Sequence, residues 1–342
     1  MTSNERPKTL HGCLTVFVEW IATETRREDE IRKQATNIRG AIRAKASEND
    51  LVIRATPSGG SFATRTGLRR HMRGQSEVEG QDVDVPFVVA PKTKDDERLE
   101  ALLPRFERYA DLAYPDTKRD TTKSSVKLNF TNNLSYDLVP LLATGNAERQ
   151  ILVRANGERR ETSIQKHVEF ITSRTTKSQA VPGVVEFNEV VRLLKWWRCF
   201  RQTQPSAGLT DVPSFLVNLL AAHAFDVRGV RATYGETIAD WFGHLARVVR
   251  KRIPISFTDF GMAPVAAAGA IWAVNDPVNG ANNVVSGWTG VMCDELAEWL
   301  EEGRDAMYEA ITAFDDRRET DGLSNLATVF GTPILHHSES TS

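Results

Sequence analysis

Apolar residues along this chain change their spacing more than once, and each change predicts a different element. Residues from about 12 to 47 read as two helices, the second strongly charged (RREDEIRKQATNIRGAIRAKA). Leu51, Val52 and Ile53 predict a short strand that enters a turn of small residues, TPSGGSFATRT. Alternating patterns predict strands over Asp82 to Ala90, Ser125 to Phe130 and Leu134 to Leu142, with a further one at ILVRA from Ile151. Thr131, Asn132 and Asn133 predict a tight hairpin between the second and third of these. Upstream of them, DDERLEALLPRFERYADLA predicts a helix that Pro104 should bend or restart.

From about residue 163 the spacing becomes helical. In VVEFNEVVRLLKWWRCFRQ, the residues Phe187, Val190, Val191, Leu194 and Trp197 recur on one helix face. VPSFLVNLLAAHAFDV and TIADWFGHLARVVRKR predict two more helices, and the loop NDPVNGANNV leads to a last long helix at CDELAEWLEEGRDAMYEAITAF. The expected fold is α+β: an N-terminal lobe over 1–160, a helical C-terminal lobe over 161–330 that closes a cleft, and a flexible polar tail over 331–342. A chain of 342 residues is long enough for two such lobes.

Composition narrows the partners. Lys and Arg number 43 against 45 Asp and Glu, a net charge of -2, so nothing calls for a long nucleic acid. RVVRKR, at Arg247 to Arg252, reads as one face of a solvated helix rather than a duplex-binding surface. Cys13, Cys199 and Cys293 lie far apart and predict reduced thiols, not a zinc site. The first residues carry no signal-peptide core or membrane span, so a cytoplasmic protein with no membrane contact is expected.

Candidate chemistry begins at Asp82-Val83-Asp84. On a strand, Asp82 and Asp84 share one face and Val83 and Val85 the other. Paired carboxylates beside a sheet core repel unless a cation neutralises them, and Mg²⁺ (or Mn²⁺) is the hard, oxygen-seeking ion that suits them. Alone, such a pair is more often two solvent-facing aspartates. A third carboxylate, Asp137, opposes Tyr136 and Leu138 in another apolar strand and changes that balance. Three such groups can hold two metal ions, one activating an attacking hydroxyl and one steadying a triphosphate. Asp137 could also take the acceptor proton. Some twenty residues before the pair, Gly59-Gly60-Ser61 is a turn that lets the backbone approach a phosphate.

These residues carry a resemblance. Gly60-Ser61-Phe62-Ala63-Thr64-Arg65-Thr66, then Asp82-Val83-Asp84, then Asp137-Leu138-Val139-Pro140, resembles the signature of polymerase-β-type nucleotidyltransferases. Within that superfamily the chain is similar to the branch holding oligoadenylate synthetases, cyclic GMP–AMP synthase and the CD-NTases of bacterial anti-phage signalling (CBASS). Three further stretches match it: Val191-Arg192-Leu193-Leu194-Lys195-Trp196-Trp197, Val212-Pro213-Ser214-Phe215-Leu216, and Asp276-Pro277-Val278-Asn279 with Asn282-Asn283-Val284. The resemblance spans roughly residues 30 to 315.

The resemblance implies a polymerase-β-like core, a mixed sheet with flanking helices, plus a helical lobe. It implies a metal-dependent enzyme that joins NTPs, ATP or GTP among them, into a cyclic di- or trinucleotide that activates an effector protein. Asp82, Asp84 and Asp137 would bind the metals, and Gly60 and Ser61 the triphosphate. Lys195 and Ser214 would hold phosphate oxygens, and Phe215 would stack on a base. Read from the residues alone, Lys195 flanks an apolar stripe and could extend into a cleft. Ser214 falls in a first helical turn that Asp211 could cap, and Phe215, like Trp196 and Trp197, is more often core. One stretch departs from the family: GLRRHMRGQSEVEGQ, between Thr66 and Asp82, is long and reads as a surface loop whose Arg69, Arg70, His71 and Arg73 could touch phosphates. His167 reads as structural. A linear synthetase or RNA-tailing enzyme, or an inactive nucleotide-binding module, are the competing functions.

Overall fold

A computed structural model describes residues 9–74, 76–90, 99–122, 124–153, 157–263 and 269–337. Helices α1 (Leu10–Ile21) and α2 (Thr25–Glu48) come first, then β1 (Val52–Ala55) and the single turn α3 (Gly60–Ala63). A hairpin of β2 (Arg70–Arg73) and β3 (Ser76–Glu79) precedes β4 (Gln81–Ala90). After α4 (Leu99–Ala113) come β5 (Lys118–Thr121), β6 (Val126–Asn129), β7 (Leu134–Ala143), β8 (Gln150–Val153) and β9 (Arg159–Thr162). The remainder holds α5 (Ile164–Gln179), α6 (Phe187–Arg201), α7 (Ser214–Arg228) and α8 (Tyr234–Arg250). It ends with the short pair β10 (Asn275–Asp276) and β11 (Asn279–Asn283), then α9 (Gly290–Asp315), α10 (Glu319–Phe330) and α11 (Pro333–His337).

The main sheet is mixed, in the order β1-β4-β7-β6-β5, with β8 and β9 continuing from the end of β7. β4 and β7 run parallel; the other pairings are antiparallel. The predicted turn after Phe130 is a hairpin closed by Phe130 N–H donating to the Leu134 carbonyl at 2.9 Å, with Asn133 at φ 60°. Asparagine tolerates that left-handed conformation, which explains its place there. Alternation along β4 and β7 buries Val83, Val85, Tyr136 and Leu138 and leaves Asp82, Asp84 and Asp137 on the opposite face. The buried face packs on a narrow stripe of α2 (Ile31, Ala35, Ile38, Ile42, Ala46) and on Leu102, Phe106 and Tyr109 of α4. Such a stripe lets a helix as polar as α2 still anchor one side of a sheet.

Proline sits in both elements without breaking either. Pro104 lies inside α4, where it forgoes one bond to the carbonyl four residues earlier, and the helix runs through it. Pro86 lies in β4 before the stretch that pairs with β1, which starts at Val88, so its missing N–H interrupts no bond on that edge. The predicted start of α4 at 95–98 and the predicted end of the ILVRA strand at 154–155 lie outside the described residues, as does the tail from 338.

A second apolar cluster fills the helical half, and its membership corrects the division of the chain. Leu10, Leu14, Phe17 and Ile21 of α1 are buried there with α6 to α10, not under the sheet. Thr9 caps α1 by accepting from Gly12 N–H at 3.0 Å. An N-terminal lobe taken as 1–160 therefore includes one helix that belongs to the other core. The chain also stays ordered past 330: α10 follows the last expected helix, and Pro333 and Ile334 of α11 are buried.

The stretch between Thr66 and Asp82 is a β-hairpin, not a surface loop. Arg69 is buried and ion-pairs with Glu24. Arg70 donates to the Trp20 carbonyl at 3.1 Å and stacks over the Trp20 ring at 4.8 Å. These two guanidinium groups are spent on holding the hairpin to α1 and its following turn. The basic run ending α8 is spent similarly: Arg250 pairs with Glu301 at 2.7 Å and Arg252 with Asp294 at 2.6 Å, both on α9.

Candidate active site

The register of three strands builds the site. Asp84 of β4 lies opposite Asp137 of β7, which lies opposite Lys127 of β6. One step along, Asp82 lies opposite Ser135, which lies opposite Asn129. Three carboxylates and one ammonium thus share a sheet face. Lys127 Nζ is 2.9 Å from Asp82 Oδ1 and 3.6 Å from Asp137 Oδ2. The Ser135 hydroxyl also donates to Asp82, and Ser125 Oγ donates to Asp137 Oδ1 at 3.0 Å.

Their acidities differ for physical reasons. Partial desolvation works to raise the Asp82 pKa, but the bonds from Ser135 and Lys127 prevail and hold it below the ordinary value. Asp84 is pushed up to about 6, first by burial and then by repulsion from Asp137 and Asp82. Burial also raises Asp137, against the pull of Lys127 and Ser125. Among the described residues Asp84 has no hydrogen-bond donor, and no three His, Cys, Asp or Glu side chains converge on one point. The donor set nonetheless suits a hard divalent cation: oxygen ligands only, with one desolvated carboxylate lacking a partner.

The Gly60 turn is fitted to that carboxylate. Gly60 has φ +73°, and a Cβ there would lie 1.8 Å from Asp84 Oδ2. Glycine is required twice over, by the backbone conformation and by the close approach. The turn is latched to the helical half. Lys195 Nζ donates to the Thr66 carbonyl at 3.1 Å and to its Oγ1 at 2.8 Å, and Thr64 and Thr66 share a hydroxyl bond at 2.9 Å. Arg192 donates to the Arg65 carbonyl at 2.8 Å. The Lys195 amine therefore lies buried against the turn rather than extended into open cleft. Burial, then the nearby Arg198, push its pKa down to about 7, against the attraction of Asp84. Arg192 and Thr66 are parts of this latch that sequence patterns did not single out.

A cavity of about 890 Å³ separates the two halves. Gly60, Ser61, Asp82, Asp84 and Lys127 line it from the sheet half and Lys195, Ser214 and Phe215 from the helical half; Asp137 is not in its wall. Ser214 is the first residue of α7 and is exposed, but Pro213 holds the cap position; Asp211 instead accepts from Gln202 at 3.3 Å. The proline supplies the extended backbone that a cap needs, which leaves Asp211 free of that role. Phe215 packs partly on the helical core and meets the His167 ring edge-on at 5.1 Å. His167 Nε2 lies 2.8 Å from Asp276 Oδ1, within a loop whose Asn282 accepts from Arg160 at 2.8 Å. His71 and Arg73 of the hairpin also line the cavity. The sequence offered both to phosphates but missed the hairpin that carries them, because RHMR and SEVE bury a single residue, Met72, and so show no apolar alternation.

Residues 9–174 match the family model of the Second Messenger Oligonucleotide or Dinucleotide Synthetase domain. The solved structure of E. coli MS115-1 CdnC with ATP superposes with a TM-score of 0.79 at 24% identity, covering 96% of this chain and 99% of that one. The same CdnC in a complex with HORMA-deltaN gives 0.76 at 26% identity, over 94% and 97%. The chain carries the domain of second-messenger oligonucleotide synthetases on a CD-NTase fold.

Two more distant CD-NTase-fold structures agree. Bradyrhizobium diazoefficiens CdnG in complex with GTP has a TM-score of 0.73 at 14% identity, over 96% of this chain and 98% of that one. Vibrio cholerae DncV cyclic AMP-GMP synthase, with the linear intermediate 5′ pppA(3′,5′)pG, has 0.68 at 11% identity, over 95% and 96%. No curated protein matches the chain. It is a nucleotidyltransferase with the polymerase-β-like fold. The family match takes in the carboxylate row and the Gly60 turn; Lys195, Ser214 and Phe215 lie beyond it, within the span of the structural matches. No helix among the described residues is long and apolar enough to cross a membrane.

Proposed function

We propose that the enzyme joins NTPs, ATP or GTP among them, into a cyclic di- or trinucleotide that switches on an effector protein in anti-phage defence. The observation that carries this reading is the row Asp82, Asp84, Asp137 beside the Gly60 turn, at a cavity between two lobes. The lobes are β1 and β4 to β9 with α2 to α4 on one side, and α1, the β2–β3 hairpin, β10, β11 and α5 to α11 on the other. Free thiols at Cys199 and Cys293 suit a cytoplasmic location.

Asp82, Asp84 and Asp137 would hold two Mg²⁺ (or Mn²⁺) ions, which neutralise triphosphate charge and make an acceptor hydroxyl more acidic. Gly60 and Ser61 receive the triphosphate, the glycine because only its bare backbone fits beside Asp84. Ser214 holds phosphate oxygens from the helical side, Lys195 joins it by turning its amine from Thr66 to the triphosphate, and Phe215 offers a ring face to a base. Asp137, with its raised pKa, takes the acceptor proton. Positioning and charge neutralisation, not a protein nucleophile, carry such transfers. DncV, solved with a linear dinucleotide intermediate, supports stepwise joining in one site.

Linear products or RNA tailing form the second reading. It is disfavoured because Arg250 and Arg252, two of the four cations in the basic run at 247–252, are paired with α9 carboxylates. Incubation with the four NTPs and Mg²⁺ or Mn²⁺, followed by chromatography and phosphatase digestion, separates the two. A phosphatase-resistant product supports cyclisation, and a sensitive ladder supports linear synthesis. No product with any NTP mixture would remove the proposal.

A further inference from the structure

Lys127 stands where a bound cation is expected. Its ammonium bridges Asp82 and Asp137 at 2.9 and 3.6 Å, and its side chain lines the cavity. The lysine is fixed by register, opposite Asp137 on the outer neighbour of β7, and not by a chance surface encounter. Each carboxylate it touches also accepts a hydroxyl, from Ser135 and Ser125, whereas Asp84 keeps no donor among the described residues. The result is a site whose negative charge is offset in part from within, by one ammonium against three carboxylates.

Resting on the reading that Asp82, Asp84 and Asp137 hold metal, we propose that Lys127 is a resident counter-cation that competes with divalent metal for these carboxylates. In the nucleotide-free enzyme, Lys127 keeps the carboxylate row assembled, since three unneutralised acids on adjacent strands would push apart. Its ammonium must leave Asp82 and Asp137 before both can serve one metal ion. Four methylenes give it the reach to do so, and the half-buried side chain borders the open cavity. Metal would then load mainly together with a triphosphate, whose own charge helps to displace the lysine. An ordinary surface ion pair would lack this competition, because its removal would leave metal affinity unchanged.

The test is Mn²⁺ titration of the full nucleotide-free chain, following the electron paramagnetic resonance of free Mn²⁺. Lys127→Met should bind Mn²⁺ about tenfold tighter than the parent, the size expected for removing one nearby like charge. Its melting temperature should also rise more on adding Mn²⁺ than the parent's does. Lys127→Gln repeats the measurement if the methionine variant folds poorly. Asp84→Asn should lose Mn²⁺ binding. Binding by the Lys127 variants equal to or weaker than the parent, with Asp84→Asn defective, overturns the competition and leaves the metal reading standing. Asp84→Asn binding as the parent does overturns the metal reading and the competition with it.

Discussion

Asp84 shows how function is bought against stability at one position. Its folded pKa of about 6 lies above the ordinary 3.8, so the folded state disfavours the charged form. Below about pH 4 the group is protonated in both folded and unfolded chains and no penalty arises. Between those values the folded state binds more protons, so stability falls as pH rises, and the full penalty applies above pH 6. Asp84→Asn should therefore raise the melting temperature of the metal-free protein by about 2–4 °C near neutral pH. The gain should vanish as the pH is lowered to about 4, while product formation falls by about 10³-fold or more at every pH. Thermal melts across that range, paired with product assays, check both halves. An inactive variant that is no more stable than its parent at neutral pH would refute the account of Asp84.

The β2–β3 hairpin is the element on which the sequence was least legible and the structure most informative. Trp20 carries Arg70 4.8 Å over its ring and His337 stacked at 3.9 Å, so α1, the hairpin and α11 meet at one indole. The hairpin turns His71 and Arg73 toward the cavity. Trp20→Ala should cost about 3 kcal/mol of stability from lost packing. It should also raise the KM for NTPs several-fold by loosening those two side chains. Steady-state kinetics on the folded variant would show it, and an unchanged KM would disconnect the hairpin from substrate. Strands β4 and β7 were readable because their apolar faces are buried against α2 and α4, which forces a period of two. Strands β2, β3, β5 and β9 were not, because ion pairs and edge exposure set their residues and leave no apolar period. The carboxylates were legible as deviations inside apolar strands. The latch from Lys195 to Thr66 was not, because its partner is a threonine 129 positions away.

Two hydrophobic cores meet across one cavity, and the links between them are polar: Lys195 and Arg192 to the turn after Gly60, and Arg160 to Asn282. Polar latches of this kind hold geometry but carry little of the cohesion, which resides within each core. α1 makes the point testable, since it begins the chain yet belongs to the distal core. Phe17 is fully buried, edge-on to Trp196 at 5.3 Å and 5.8 Å from Phe330. Phe17→Ala removes an aromatic ring from that core at a cost of about 3–5 kcal/mol. If the cores unfold as separate units, native-state hydrogen exchange should quicken in α6, α8 and α9 while amides of α2 and β4 keep their protection. The cleft would then be hinged, with each lobe rigid and the nucleotide closing the gap between them. Equal acceleration in both halves would mean one cooperative unit, and closure would have to come from loops alone.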